Sequence, residues 1–232
     1  MTVKEHPILF SAPMVRALLD GSKTKTRRVL KPQPPEDVVR IAVENFTPIV
    51  SDKHGDQQPG PEIFGAYDMT GSWGTKCPHG QPGDRILVKE TFYAFGRWET
   101  RFNVKKGRDE WHFVDMTLET GHTYCYAAEG AEPALLARKR DGGVFPKWWK
   151  RPAIFMPRVA IRITMEITGV RVERLKDISD EDSLAEGVYP ISTGLYPGSP
   201  IRAYEKLWES INGPGSWDAN PWVWVVEFRR LA

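Results

Sequence analysis

Hydrophobic and polar side chains alternate most regularly in residues 159–172, where Val, Ile and Met take every second position up to Ile167. A period of two predicts a long strand with one buried face, and Gly169 is the expected position of a bend. The apolar segment from Trp222 to Phe228 predicts a strand near the end of the chain. The segment from Arg85 to Tyr93 is rich in β-forming residues and predicts another strand.

Helical spacing occurs in shorter segments that have clear start and stop signals. Ser11 is a suitable N-cap for a first helix, which should end at Gly21 because glycine readily adopts the left-handed backbone conformation. Ser179 is expected to begin a short acidic helix ending at Gly187, with an acidic residue in the N3 position. A third helix is expected to begin at Ser199-Pro200 and to stop at Asn212-Gly213.

Two long stretches interrupt these patterns. Residues 35–75 are polar and rich in Gly and Pro, so we expect loops there. Residues 95–150 are interpreted as an insertion with a hairpin, a strand at 123–127, and a helix from Ala134 to Arg140 that Gly142-Gly143 would end.

Strands separated by short helices, without regular β-α-β repetition, favour an α+β fold. We expect a mixed β-barrel decorated with short helices, in one domain over residues 1–232.

Composition narrows the range of partners and compartments. The formal net charge is only +2, so nucleic-acid binding would depend on local basic patches, while nine Trp residues could supply faces for stacking bases. The two Cys residues are too few for a disulfide framework. Because the first residues lack a signal-peptide pattern and no long apolar run occurs, we expect a cytoplasmic protein without a membrane span.

The segment Gly21–Arg28, here called the basic turn, directly follows the first predicted helix. It contains four cationic side chains and several hydroxyl groups, and it contains no acid. A run of Lys and Arg most often forms a solvated surface, so the composition of this segment does not by itself indicate a functional site. Motifs elsewhere in the chain supply that indication.

Several motifs follow one another in a fixed order. They are Gly21-x-Lys23-x-x-x-x-Arg28, Pro82-Gly83-Asp84-Arg85 before a strand, the long Ile/Thr strand, the acidic helix ending in Ala185-Glu186-Gly187-Val188, and the final Trp-Val-Trp-Val-Val-Glu-Phe strand. Together they resemble the ASCH-domain proteins of bacteriophages and bacteria, a branch of the PUA-like β-barrels. The resemblance covers most of the chain, but it does not extend to the insertions at about 35–75 and 95–150.

The resemblance implies an amidohydrolase that removes the acyl group from N4-acylated cytosine as base, nucleoside or nucleotide. It implies no cofactor, and it implies a location in the host cytoplasm if the chain is phage-encoded. The functional Lys and Thr of the family correspond to Lys23 and Thr26 in the basic turn. The functional Glu corresponds best to Glu186, and Glu181 is the weaker candidate.

Amide hydrolysis explains why these residue types would be needed. Thr26 can supply a nucleophilic hydroxyl or orient a water. Lys23 can act as the general base if its pKa falls, or Glu186 can be the base while charged Lys23 stabilises the oxyanion, and the sequence leaves both arrangements open. Arg28 and Lys25 are predicted to contact the substrate.

The alternative is an RNA-binding PUA-like module or a single-strand ribonuclease. In that case the cations of the basic turn would hold phosphate. Residues 147–151 read Lys-Trp-Trp-Lys-Arg, so Trp148 and Trp149 would stack bases next to further cations. Single-stranded RNA is therefore the second candidate partner, beside a modified cytidine.

Metal binding is the weakest of the chemical possibilities. Cys77, His79, His122 and Cys125 have the stoichiometry of a tetrahedral zinc site, but their spacing is irregular. We therefore predict no metal site.

Overall fold

The computed structural model describes residues 2–138, 145–189 and 198–231, and over these residues the chain is α+β, with many strands and few helices. The described helices are α1 (Ala12–Leu19), α2 (Asp180–Ala185) and α3 (Pro200–Asn212). The described strands are β1 (Glu5–Leu9), β2 (Lys25–Val29), β3 (Ile41–Phe46), β4 (Ile49–Ser51), β5 (Gln57–Pro59), β6 (Ile63–Asp68), β7 (Gly74–Lys76), β8 (Arg85–Lys89), β9 (Phe92–Asn103), β10 (Arg108–Asp115), β11 (Cys125–Tyr126), β12 (Leu136–Ala137), β13 (Lys147–Arg151), β14 (Thr164–Arg174) and β15 (Trp222–Arg230). The α+β class is thus confirmed.

Contacts between residues divide the chain into two compact units. The first unit consists of Met1–Pro7, Ala17–Leu87 and Ile163–Ala232, and the second consists of Ile8–Arg16 and Val88–Arg162. The predicted insertion at 35–75 belongs to the first unit, and the one at 95–150 belongs to the second.

The main sheet has the strand order β1-β8-β14-β15-β2. The central pair, β14 and β15, is antiparallel, and its register shifts between Ile167 and Gly169, at the position where the sequence predicts a bend. Met165 and Ile167 are buried on one face, as their alternation predicts. The strand begins at Thr164 rather than at residue 159, because Arg158–Ala160 forms a 3-10 turn directly after Pro157.

The predicted barrel is not closed within the described residues. The pairing path of the main sheet is open, with β1 and β2 as its two edges. The Arg85–Tyr93 segment, expected as one strand, is divided into β8 and β9. The division falls at Glu90-Thr91, where the buried Glu90 carboxylate accepts a hydrogen bond from Arg162 Nε at 2.9 Å.

The expectation of loops over residues 35–75 is wrong. Strands β3, β6 and β7 form one antiparallel sheet there, and β4 and β5 form another. Gly65 contributes to the loop-like composition, yet it serves strand packing: a Cβ at this position would lie 2.2 Å from the Thr75 carbonyl oxygen. Here glycine marks a close approach of two strands rather than a turn.

The second unit contains the sheet β10-β9-β13-β12, with β11 paired to β9. The predicted hairpin is confirmed as β9 and β10, and the predicted strand at 123–127 is present as the two residues of β11. The helix predicted from Ala134 is wrong, since β12 occupies Leu136–Ala137 and pairs in parallel with β13. The predicted end of that helix, at Gly142-Gly143, lies outside the described residues.

The helix ends follow the predicted capping signals. Ser179 Oγ accepts a hydrogen bond from the Asp182 amide at the start of α2, and Ser199 Oγ accepts one from Arg202 at the start of α3. Gly21 and Gly187 have φ angles of +82°, which favour glycine. In the described ranges, none of the helices combines the length and apolar character that crossing a membrane requires.

Candidate active site

The basic turn lies against the end of α2, within the first unit. The Thr24 amide donates a hydrogen bond to the Ala185 carbonyl at 2.8 Å, and Lys23 and Glu186 form an isolated antiparallel bridge. Gly187 allows this close packing, because a Cβ there would lie 2.7 Å from the Ala17 Cβ and 3.0 Å from the Lys23 Cβ. Two motifs that are 163 residues apart in sequence therefore meet.

The Lys23 ammonium is fully buried and surrounded by acceptors. Its Nζ donates to Glu186 Oε2 at 2.7 Å, to the Glu186 carbonyl at 2.9 Å and to the Lys25 carbonyl at 2.7 Å. An ammonium group has three protons, so each proton has an acceptor. Glu186, rather than the exposed Glu181, is thus the acidic partner of Lys23.

Burial and charge act in opposite directions on Lys23. Burial lowers its pKa, and the charge and hydrogen bond of Glu186 oppose that effect, while the charges of Arg28 and Arg27 lower the pKa further. The net result is a pKa below the ordinary lysine value.

Glu186 also accepts a hydrogen bond from a second buried cation, Arg27. Arg27 Nη1 lies 3.3 Å from Glu186 Oε1, and its Nε and Nη2 donate to Glu173 Oε1 at 2.9 and 2.6 Å. Burial opposes the charged form of Arg27, but Glu186 and Glu173 outweigh it and raise the pKa of Arg27. From its sequence context Arg27 was expected only among the phosphate-binding cations, and no role was expected for Glu173.

Asp182 connects the remaining cations of this cluster. Its carboxylate accepts from Lys25 at 2.6 Å, from Arg27 at 2.5 Å and from Arg171 at 2.5 Å. Lys25 also lies 3.5 Å from Glu227 Oε1. A phosphate held by Lys25 and Arg27 would have to displace these carboxylates, which is a cost that the sequence alone did not reveal.

Thr26 lies between Lys25 and Arg27 on β2, so strand alternation places its side chain on the other face of the strand, together with that of Arg28. Thr26 is 1% exposed, and its Oγ1 has no hydrogen-bond partner among the described residues. The structure therefore brings Lys23 and Glu186 into contact, whereas it shows no hydrogen bond from Thr26 to either of them.

Arg28 is half-buried on this second face of β2. Burial lowers its pKa, and the charges of Glu186 and Tyr204 oppose that shift. The pKa of His79 falls to about 4 because this half-buried ring is partly removed from solvent and lies close to the charges of Arg28 and His6. Arg28 is thus close to the charge of Glu186 on one side and to His79 on the other, and a guanidinium in this position could donate to a carbonyl oxygen.

The Cys and His residues considered for zinc are divided between the two units. Cys77 and His79 belong to the first, and His122 and Cys125 belong to the second. Burial raises the pKa of Cys77 to about 11, which disfavours the thiolate that zinc requires. Within the described ranges, no group of three or more His, Cys, Asp or Glu side chains is arranged to hold a metal ion.

Trp148 and Trp149 point to opposite faces of β13. Trp149 is only 7% exposed, and its Nε1 donates to the Gly96 carbonyl at 3.0 Å. Trp148 packs edge-on against Phe95 and His122, with ring centroids 5.5 and 5.4 Å away. The predicted pair of stacking rings is therefore not presented on one surface. A period of two within β13 was the signal that could have revealed this.

Comparison of the chain with models of known protein families, with curated proteins and with solved structures finds no match.

Proposed function

We propose that the chain is an ASCH-type, PUA-like amidohydrolase that removes the acyl group from N4-acylated cytosine, as base, nucleoside or nucleotide. The observation that carries the proposal is the buried contact between Lys23 and Glu186 at 2.7 Å. It joins the two motifs to which the family resemblance assigns function, although they are far apart in the sequence.

The contacts of Lys23 favour one of the two arrangements that the sequence leaves open. Two carbonyl oxygens and one carboxylate around Nζ all accept protons, so they stabilise the ammonium form. Charged Lys23, whose three protons already have acceptors, would then act on the oxyanion at the acyl carbon through its charge alone, and Arg28 would contact that oxyanion directly. Glu186 would take the proton from the attacking water and return it to the departing cytosine amine.

Thr26 supports the proposal through its unpartnered hydroxyl. Leaving a buried hydroxyl without a hydrogen bond costs about 1–3 kcal/mol, and such groups call for an explanation. A substrate carbonyl or the attacking water would satisfy Thr26 Oγ1. We therefore assign Thr26 the role of orienting the water or attacking the acyl group itself.

The direct test is incubation of the purified full chain with N4-acetylcytidine, followed by chromatography. We expect equal amounts of cytidine and acetate to appear with turnover. A variant in the same turn, Thr24→Ala, should be as active as the unmodified chain because the Thr24 side chain is exposed. If N4-acetylcytidine, N4-acetylcytosine and the corresponding nucleotide all remain intact, the proposal is wrong.

A further inference from the structure

The second unit contains a cleft of about 840 Å³ that the proposed hydrolysis does not use. Its lining includes the rings of Trp98, Trp111, Phe113 and Phe155 and the side chain of Arg151. Trp98 and Phe113 are directly opposite each other in the register of β9 and β10. The volume is within the range of small-molecule sites, roughly 300–1,000 Å³.

Two of the rings around this cleft are open to solvent. Trp111 is 43% exposed and Phe155 is 61% exposed. Flat aromatic surfaces of this kind gain free energy when another planar ring stacks on them, because apolar area is removed from water and the π systems interact. The shape and the rings thus suit a ligand that contains an aromatic ring.

The charges of the cleft suit an anion. The guanidinium carbon of Arg151 lies 4.4 Å from the ring centroid of Phe113, 4.8 Å from that of Trp98 and 5.0 Å from that of Phe155. These contacts hold the guanidinium in place. Lys150 and Arg138 also line the cleft, and none of the described residues that line it is acidic, although Arg138 forms an ion pair at 3.3 Å with Glu132, which is not part of the lining.

We infer that this cleft binds a nucleotide unit, meaning an aromatic base that carries a phosphate, as a free nucleotide or within a single strand. The base would stack on Trp111, and the phosphate would contact Arg151. A duplex does not fit this chemistry, since its bases are already stacked on each other. The inference goes beyond the proposed hydrolysis and uses none of the residues assigned to it.

The test is fluorescence anisotropy of a labelled hexauridylate RNA titrated with the full chain at several salt concentrations. Trp111→Ala should weaken binding by about 5- to 150-fold, which is the loss expected for one stacked base. Arg151→Gln should flatten the slope of log K against log salt by about 0.7, the value for one phosphate contact on a single strand. Phe102→Ala is the matched control, because Phe102 is an exposed aromatic residue of the same hairpin and does not line the cleft.

Competition with unlabelled UMP and with unlabelled hexauridylate shows whether the cleft binds a free nucleotide or a single strand. Displacement by UMP supports a free nucleotide, whereas displacement only by unlabelled hexauridylate supports a single strand. The inference is wrong if neither hexauridylate nor UMP binds at low salt. It is also wrong if Trp111→Ala, with its melting temperature unchanged, binds as tightly as the unmodified chain.

Discussion

The basic turn of the first unit and the basic segment 147–151 of the second unit are both rich in Lys and Arg, but these cations have different surroundings. In the basic turn, Lys23, Lys25 and Arg27 are paired with carboxylates from β14 and from α2 and its C-cap. In segment 147–151, Arg151 is surrounded by aromatic rings next to an open cleft. The partners of a cation, rather than the cation itself, thus determine what each region can do.

This difference teaches how a run of basic residues should be interpreted. Cations paired with buried acids form a preorganised electrostatic site, because their positions are fixed before a substrate arrives. Cations held beside aromatic rings at an open cleft lie where an anion and a planar ring can be bound together. The first arrangement suits chemistry on a small polar group, and the second suits binding.

The largest effect is expected from Glu186→Gln, which leaves Lys23 and Arg27 with one fewer buried charge partner. We expect the free energy of unfolding to fall by about 3–5 kcal/mol and kcat for N4-acetylcytidine to fall by at least about 100-fold. Denaturant unfolding and steady-state kinetics measure both. The opposite ranking, with Glu181→Gln inactive and Glu186→Gln active and stable, would transfer the acidic role to Glu181.

The pH dependence of kcat/KM distinguishes between the two roles considered for Lys23, as a charged group that stabilises the oxyanion and as the general base. If charged Lys23 stabilises the oxyanion, kcat/KM should fall about tenfold per pH unit above its lowered pKa, and Lys23→Arg should move that fall to higher pH. If Lys23 is the general base, kcat/KM should instead rise with pH up to the lowered pKa and level off above it.

The lowered pKa of Lys23 also predicts how the free energy of unfolding depends on pH. The unfolded chain binds more protons than the folded one between the lowered pKa and the ordinary value of 10.5, so Lys23 makes the free energy of unfolding rise with pH in that window. Lys23→Met should remove this rise.

A smaller effect is expected from Asp182→Asn, which removes the charge shared by Lys25, Arg27 and Arg171. Burial opposes the charged form of Asp182, but the bonds from Lys25 and Arg27 prevail and lower its pKa. Its stabilisation is therefore present above the ordinary value of 3.8 and is lost as pH falls through the lowered pKa. We expect a loss of about 1.5–3 kcal/mol near neutral pH and a flatter stability curve in acid. Urea unfolding from pH 2 to 7 measures this, and an unchanged curve would contradict the role of Asp182.

The sequence predicted those elements whose signals are local. Ser179, Ser199 and Gly21 mark helix ends through short-range hydrogen bonds and backbone preference, and alternation up to Ile167 predicted the buried face of β14. The sequence did not predict the strands of residues 41–76, because glycines such as Gly65 allow close contacts between strands, and a local pattern cannot reveal such contacts. In the candidate site, the contact of Lys23 with Glu186 was expected from the resemblance. The contact of Glu173 with Arg27 was not expected, because the sequence around a charged residue in a strand does not indicate which residue pairs with it.

The measurement that tests the central claim most directly is the activity of Thr26→Val beside that of Thr24→Val. Valine has nearly the shape of threonine, and Thr26 Oγ1 has no hydrogen bond to lose among the described residues, so Thr26→Val should be at least as stable as the unmodified chain. We predict that its kcat for N4-acetylcytidine falls by at least about 100-fold while Thr24→Val stays fully active. Full activity of Thr26→Val, with its melting temperature unchanged, would contradict the account.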